Sequence, residues 1–274
     1  MARAREKDYA AIAKSKIYRP SSVQRRPRFL IYGRNKKGKT TFGNSAGVEV
    51  TLTLDTEFGT SEMKTADPHV WPIDSWPDID DAFEFIRNVN ECPNCDEPHS
   101  FEWVCVDGLT RLSNMALRRV MQIQEERSLD RIPGLVQKQD YGKGGELMKE
   151  MMTKFHNLQN IGVVFTAQER MQETADSEED EDFEDGGVMF VPDLPKGVRS
   201  MANSLVDVIG RIYVVKSEDK TGEVKPQRRL WIGDSVKYDT GYRSDFELPP
   251  YLRNPTVPRL VKLIRQGSLK KKTS

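Results

Sequence analysis

Short apolar runs alternate with amphipathic stretches along most of this chain. Phe29–Tyr32, Val48–Asp55, Val70–Ile73, Phe101–Asp107 and Ile161–Ala167 are brief, rich in β-branched and aromatic residues, and predict buried strands. Between them, Lys39–Asn44, Ile79–Asn90, Leu109–Arg127 and Gly144–Leu158 carry apolar residues at helical spacing and predict helices. Strands alternating with helices imply right-handed crossovers and an α/β fold with a mostly parallel sheet. The pattern changes later. Ser204–Val215, Arg228–Ile232 and Ser235–Tyr238 read as strands, with the turn Lys220-Thr-Gly222 between the first two, and predict an antiparallel extension of the sheet. From Leu248 the chain is punctuated by Pro249, Pro250, Pro255 and Pro258.

These patterns divide the chain into a basic, partly helical arm (1–27), a core (28–256) and a basic tail (257–274). Formal net charge is zero, 42 basic against 42 acidic residues, but it is unevenly placed. The tail holds Arg259, Lys262, Arg265, Lys270, Lys271 and Lys272 and no acid, whereas residues 171–187 form a strongly acidic loop. Basic ends suit either a polyanion or plain solubility. No apolar run approaches the ~18 residues of a membrane span, and no apolar segment follows the first residues as a secretory signal requires. Three cysteines make no disulfide framework. The expectation is a cytoplasmic protein without a membrane partner.

The chemistry begins at Phe29–Tyr32, which runs into Gly33-Arg34-Asn35-Lys36-Lys37-Gly38-Lys39-Thr40-Thr41. Strand, G-x-x-x-x-G-K-T and helix in that order make a phosphate-binding P-loop. Its backbone N–H groups would close on phosphate oxygens, Lys39 would reach the β- and γ-phosphates, and the Thr40 hydroxyl would ligate Mg²⁺. Phe101–Asp107 is an apolar strand ending in a carboxylate; Asp107 is expected either to orient Mg²⁺ or to cap the following helix. Asp55-Thr56-Glu57 leaves the strand before it, at the sheet edge where α/β proteins bind ligands. Glu57 is the favoured base for the attacking water and Asp55 the weaker candidate, against a plain solvated turn. Gln168, after Ile161–Ala167, is a candidate γ-phosphate sensor or an ordinary polar strand end.

Gly33–Thr40, Asp55-Thr-Glu57, Val106-Asp107 and Thr166-Ala-Gln168 stand in the order of a RecA-like ATPase core. The chain resembles, more narrowly, the small phage-encoded RecA-like ATPases of the Sak recombinase type. Val70–Trp76, Asp140-Tyr-Gly142, Val191–Pro195, Val206–Gly210, and Arg243 ahead of Leu248-Pro-Pro250 add to the resemblance, which covers roughly residues 28–256. It implies a RecA-like P-loop NTPase core that uses ATP and Mg²⁺ and works in the host cytoplasm. Such an ATPase would assemble as a ring or filament on single-stranded DNA, alongside a single-strand binding protein, and promote annealing or strand exchange. It further implies a DNA-facing connection, here Glu125–Gly145 with Arg127, Arg131, Lys138, Tyr141 and Lys143. A basic residue acting in trans on a neighbour's γ-phosphate is implied too, with Arg243 or Lys237 as candidates. The alternatives are a nucleotide-gated adaptor in phage replication or packaging, and a P-loop kinase.

Cys92-Pro-Asn-Cys95-Asp-Glu-Pro-His99 stands apart, as an insertion at 91–100. Two thiolates from one turn and an imidazole supply three zinc ligands, with His69, Asp96 or a group from a neighbouring subunit as fourth. Free thiols and a redox pair are the other readings. Cys105 reads as a buried strand residue.

Overall fold

The computed structural model describes residues 8–17, 19, 25–128, 130–173, 187–218 and 223–267. Its elements run α1 (Tyr9–Lys16), β1 (Arg28–Tyr32), α2 (Lys39–Gly43), β2 (Thr51–Asp55), β3 (His69–Pro72), α3 (Trp76–Asn88), β4 (Trp103–Asp107), α4 (Leu109–Arg127), α5 (Lys138–His156) and β5 (Gly162–Ala167). They continue through β6 (Glu169–Glu173), β7 (Val188–Pro192), α6 (Lys196–Leu205), β8 (Val208–Glu218), β9 (Val224–Trp231), β10 (Gly241–Tyr242), β11 (Tyr251–Arg253) and α7 (Val257–Gln266).

Among the described residues, one sheet has the order β11-β9-β8-β1-β5-β4-β2-β3, with β10 also paired to β8. From β8 to β3 all neighbours are parallel, while β9, β10 and β11 pair antiparallel. This is the mostly parallel α/β sheet with an antiparallel C-terminal extension that the RecA-like reading expects. The P-loop strand β1 lies centrally between β5 and β8, so the loop after Tyr32 is flanked on both sides.

Strand alternation divides the core. Leu30, Tyr32, Leu54, Val104, Val106, Val163 and Phe165 face one layer, shared with apolar residues of α3, α4, α5 and α6. Phe29, Ile31, Trp103, Cys105, Val164 and Val208 face the other, shared with Phe42 of α2 and with Val257, Leu260, Leu263 and Ile264 of α7. Helices on both faces explain why the central strands are fully buried rather than alternating in polarity.

Several elements differ from the sequence reading. The segment from 257, expected as a basic tail, begins as an amphipathic helix whose buried residues join the core; Arg259 and Arg265 lie on its exposed side. Lys270–Lys272 fall outside the described residues, as do 174–186 of the acidic loop and the turn at 219–222. The described ends of that loop form a β6–β7 hairpin. Ser204–Val215 divides into the end of α6 and most of β8. Ser235–Tyr238 is no strand; it gives a single bridge, Phe190 to Tyr238. The α3 helix starts at Trp76, three residues early, because Ser75 and Asp78 form a capping box. The α5 helix starts at Lys138 rather than Gly144, held by Gln137 and Asp140 in the same arrangement.

Candidate active site

The P-loop folds as its glycines demand. Gly38 sits at φ 97°, in the left-handed region, and a Cβ on Gly33 would lie 2.4 Å from the Ile212 carbonyl oxygen of β8. Lys36 shares the left-handed conformation at φ 60°. The helix that follows is only five residues long, so its dipole is small. Attraction for phosphate therefore rests on the loop's N–H groups and on side-chain cations. Lys39 is buried, and its Nζ donates to the carbonyls of Gly33 (3.0 Å) and Arg34 (3.1 Å), which hold it over the loop. Burial pushes the Lys39 pKa down; Glu57, Asp107 and Glu169 oppose this.

Asp107 ends β4 beside Asp55 of β2, its neighbour in register. Thr40 Oγ1 donates to Asp107 Oδ2 at 2.6 Å, and Thr166 Oγ1 of β5 donates to Oδ1. Three strands and the P-loop helix thus meet at one carboxylate. Burial raises the Asp107 pKa, the two hydroxyls lower it, and Asp55 and Glu57 raise it further.

Asp55 and Glu57 divide their roles by environment. Asp55 is buried and accepts from the N–H groups of Glu57 (3.0 Å), Gly59 (3.3 Å) and Thr60 (2.9 Å) and from Thr60 Oγ1 (2.6 Å). Every lone-pair direction is occupied, so Asp55 shapes the loop. Glu57 is exposed, with Gln168 Nε2 donating to it at 3.1 and 3.4 Å. The two residues nominated for water activation and phosphate sensing are therefore together. Glu57 lines a cleft of about 400 Å³ with Asn35, Lys36, Gly38, Lys39, Thr40, Thr41, Gly59, Met63, Asp107 and Arg228, and Gln168 meets that lining at Glu57. Gly33, Arg34 and Lys37 complete the loop outside that lining. The Arg34 guanidinium turns instead to Glu169 (3.0 Å), which Arg211 also holds at 2.9 Å.

Arg228, on β9, is not singled out by the sequence. Its guanidinium packs on the P-loop, where a Cβ on Gly38 would meet Nε at 2.7 Å. An arginine within a β-rich run carries no local signal for this; only the pairing of β9 with β8, and of β8 with β1, brings it there. Arg243 lies at the opposite sheet edge, its N–H donating to the Asp207 carbonyl and its guanidinium to that of Ser204. It is not among the residues that line the P-loop cleft. Lys237 lies between β9 and β10, where its carbonyl accepts from Phe190 N–H.

Of the residues nominated for DNA, Arg131 alone lies in the connection between α4 and α5; the other four stand on the helices. Arg127 ends α4, while Lys138, Tyr141 and Lys143 stand on the first turns of α5; all four are exposed. Arg131 must be withdrawn as a phosphate ligand, because it is buried in an ion pair with the buried Asp140. Tyr141 lines a cavity of about 240 Å³ with Thr110, Leu117, Arg170, Asp193 and Leu194, among others. Two residues of that cavity are hydrogen-bonded to Gln168. Gln168 N–H donates to Thr110 Oγ1 (3.1 Å), Asp193 N–H donates to the Gln168 carbonyl (2.8 Å), and Thr110 Oγ1 donates to the Asp193 carbonyl (3.0 Å).

A family profile described as an AAA domain matches residues 25–244, which takes in the P-loop, Asp107, Gln168 and Arg228. The chain belongs to the AAA domain family. It is thus a P-loop ATPase by family, and its P-loop lines the cleft. Among solved structures, the crystal structure of the flagellar accessory protein FlaH from Methanocaldococcus jannaschii is similar to this AAA domain at 12% identity. That match covers 79% of this chain and 80% of that one, with a TM-score of 0.31. No curated protein is significantly similar to it. Among the described residues, no helix is long and apolar enough to cross a membrane.

The residues fit ATP with Mg²⁺. Glu57, Asp107 and Glu169 crowd carboxylate charge around Lys39, Asp55 adds to it at Asp107, and burial raises the Asp107 pKa. Hydroxyl and carboxylate oxygens suit a hard divalent cation. Thr40 and Asp107 would hold it, where it would neutralise charge on the β- and γ-phosphates.

Proposed function

We propose that this AAA domain hydrolyses ATP in response to single-stranded DNA, working in the cytoplasm as an oligomer in phage-type annealing or strand exchange. The observation that carries the proposal is the Gln168 junction. The side chain of Gln168 binds Glu57 at the P-loop cleft, and its backbone is hydrogen-bonded to Thr110 and Asp193, which line the same cavity as Tyr141. A shift of Gln168 toward a γ-phosphate would break or reset its bonds with Thr110 and Asp193. It would thereby move the floor under Tyr141.

In this scheme Glu57 accepts a proton from the attacking water. Lys39 holds the β- and γ-phosphates, and Arg228 stabilises charge that develops as the terminal P–O bond breaks. Arg228 supplies from within the chain the cation that Arg243 was expected to lend to a neighbour. A role for Arg243 in trans requires a neighbouring subunit to present its opposite sheet edge to this cleft, in a ring or filament. On the DNA side, Tyr141 offers a stacking face beside the cations Arg127, Lys138 and Lys143. A single-strand binding protein is the partner expected to share the strand.

Fluorescence anisotropy with a labelled oligonucleotide, across a salt series and with a non-hydrolysable ATP analogue, tests the DNA side. Replacing Lys138 and Lys143 together by Ala is expected to weaken binding and flatten the salt slope by about one to two units, one for each phosphate no longer neutralised. Tyr141→Ala is expected to weaken binding by roughly 1–3 kcal/mol with little change of slope. Undetectable binding at low salt in every nucleotide state would refute the proposal and leave the adaptor and kinase alternatives.

A further inference from the structure

The insertion at 91–100 brings together side chains that the ATPase does not use. His69, Cys92, Cys95 and His99 present their ligating atoms within 4.8 Å of one another. They come from two separate parts of the chain. His69 opens β3 at the sheet edge, and the other three lie between α3 and β4 in a knuckle closed by the Glu91–Ser100 bridge and by Cys92 N–H donating to the His99 carbonyl at 2.9 Å.

Both imidazoles are turned in the same way. His69 Nδ1 lies 3.1 Å from the Val48 carbonyl, and His99 Nδ1 lies 3.4 Å from that of Glu97. A carbonyl only accepts, so each Nδ1 carries the proton and each Nε2 presents a bare lone pair. His69 Nε2 points at Cys95 Sγ, 3.1 Å away, and His99 Nε2 is buried without a hydrogen-bond partner. Such an orphan is costly unless something outside the chain satisfies it. Backbone carbonyls fixing Nδ1–H while Nε2 faces a common centre is how metal-binding histidines are oriented.

The structure joins Cys92 and Cys95 as a disulfide. That state has no proton to offer either lone pair. In the dithiol state the Cys95 S–H can serve His69, while neither sulfur as placed here stands in hydrogen-bond geometry to His99 Nε2. A divalent cation with two thiolates satisfies both sulfurs and both nitrogens at once. Each thiol releases its proton to solvent as the metal binds. Two sulfurs and two imidazole nitrogens around one point are a zinc donor set, and tetrahedral bond lengths place such ligands about 3.3–3.8 Å apart.

We propose that His69, Cys92, Cys95 and His99 form a closed structural zinc site. With four protein ligands, no position is left for water or substrate, so the metal has no part in ATP chemistry. It fastens β3, a four-residue edge strand paired among the described residues only with β2, to the knuckle ahead of the Asp107 strand. His69 is thereby the fourth ligand, in place of Asp96 or a group from a neighbouring subunit.

The test uses the full chain purified with a reductant and without chelator. Elemental analysis is expected to give about one zinc per chain. Cobalt exchanged for zinc is expected to give tetrahedral d–d bands and a thiolate charge-transfer band. In competition with a chromogenic chelator, His69→Ala is expected to lose more than the ~10–100-fold in zinc affinity that removing an outer hydrogen-bond partner costs. Asp96→Ala is expected to bind zinc as the wild type does. If His69→Ala does not fold, His69→Cys is expected to retain the metal and intensify the charge-transfer band of the cobalt form. Absence of zinc, whether Cys92 and Cys95 are found as free thiols or as a disulfide, would overturn the site. An unchanged cobalt spectrum in folded His69→Ala or His69→Cys would overturn the assignment of His69.

Discussion

Asp55 and Glu57 are two residues apart and chemically alike, yet the structure predicts that their amide variants fail in opposite ways. Asp55→Asn replaces one carboxylate oxygen by an NH₂ group. If Oδ2 is replaced, the NH₂ faces the Thr60 N–H; if Oδ1 is replaced, it faces those of Glu57 and Gly59. At best one charge-assisted bond worth ~1.5–3 kcal/mol is lost and one part-buried N–H is left unsatisfied at ~1–3 kcal/mol, about 2.5–6 kcal/mol together. For a domain of this size that lowers the melting temperature by on the order of 10 °C. Glu57 is exposed, and its amide can still accept from Gln168 Nε2, so Glu57→Gln is expected to shift stability by less than about 0.5 kcal/mol. Its loss is kinetic. Without a proton acceptor, turnover is expected to fall ~10²–10⁴-fold, equivalent to roughly 3–5 kcal/mol of barrier, while ATP binding persists. Phosphate release at saturating ATP and Mg²⁺, nucleotide binding by a fluorescent analogue, and thermal unfolding read the three quantities separately. Normal turnover by Glu57→Gln, or an Asp55→Asn protein as stable as wild type but unable to hydrolyse ATP, would refute the division of roles.

Asp107→Asn is expected to abolish Mg²⁺-dependent turnover yet raise the melting temperature of the nucleotide-free protein at neutral pH. The Asp107 pKa is raised by folding, so its contribution to stability is fullest below about 3.8 and is lost as pH rises through the folded value. The gain in the variant should therefore shrink as the wild type is acidified, and unfolding curves at several pH values check this. Arg228→Ala is expected to lower turnover by ~10²-fold or more with little loss of stability, since the side chain is exposed and lines the P-loop cleft where the proposed scheme puts the phosphates. Steady-state ATP hydrolysis beside thermal unfolding checks it, and unchanged turnover would exclude Arg228 from the site.

Much of the fold is legible in the sequence because strong local signals carry it. The helix at Leu109–Arg127 is predicted to the residue, and the five parallel strands in the first two-thirds of the chain are placed within three residues at either end. Continuous apolar runs have no other stable home than a sheet covered on both faces. The P-loop, Asp107, Glu57 and Gln168 are readable because each leaves a strand at the same sheet edge. What is not legible depends on distant partners. Arg228 reaches the cleft only through the pairing of β9, β8 and β1. Arg131, a cation in a polar stretch, turns inward because Asp140 caps α5 and holds it. The α7 helix is hidden by Pro255 and Pro258, which read as breakers, although Pro258 lies in a first turn capped by Thr256, where proline is tolerated. The β6–β7 hairpin is hidden by the acidic composition between its strands.

On the reading proposed above, nucleotide chemistry at Lys39, Glu57 and Asp107 answers to single-stranded DNA through Gln168. ATP turnover of the purified protein, measured with and without an unstructured oligonucleotide and with Lys39→Ala as the blank, tests this most directly. The oligonucleotide is expected to raise turnover several-fold, and Gln168→Ala is expected to abolish the increase. Turnover that Lys39→Ala removes but that single-stranded DNA leaves unchanged would contradict it.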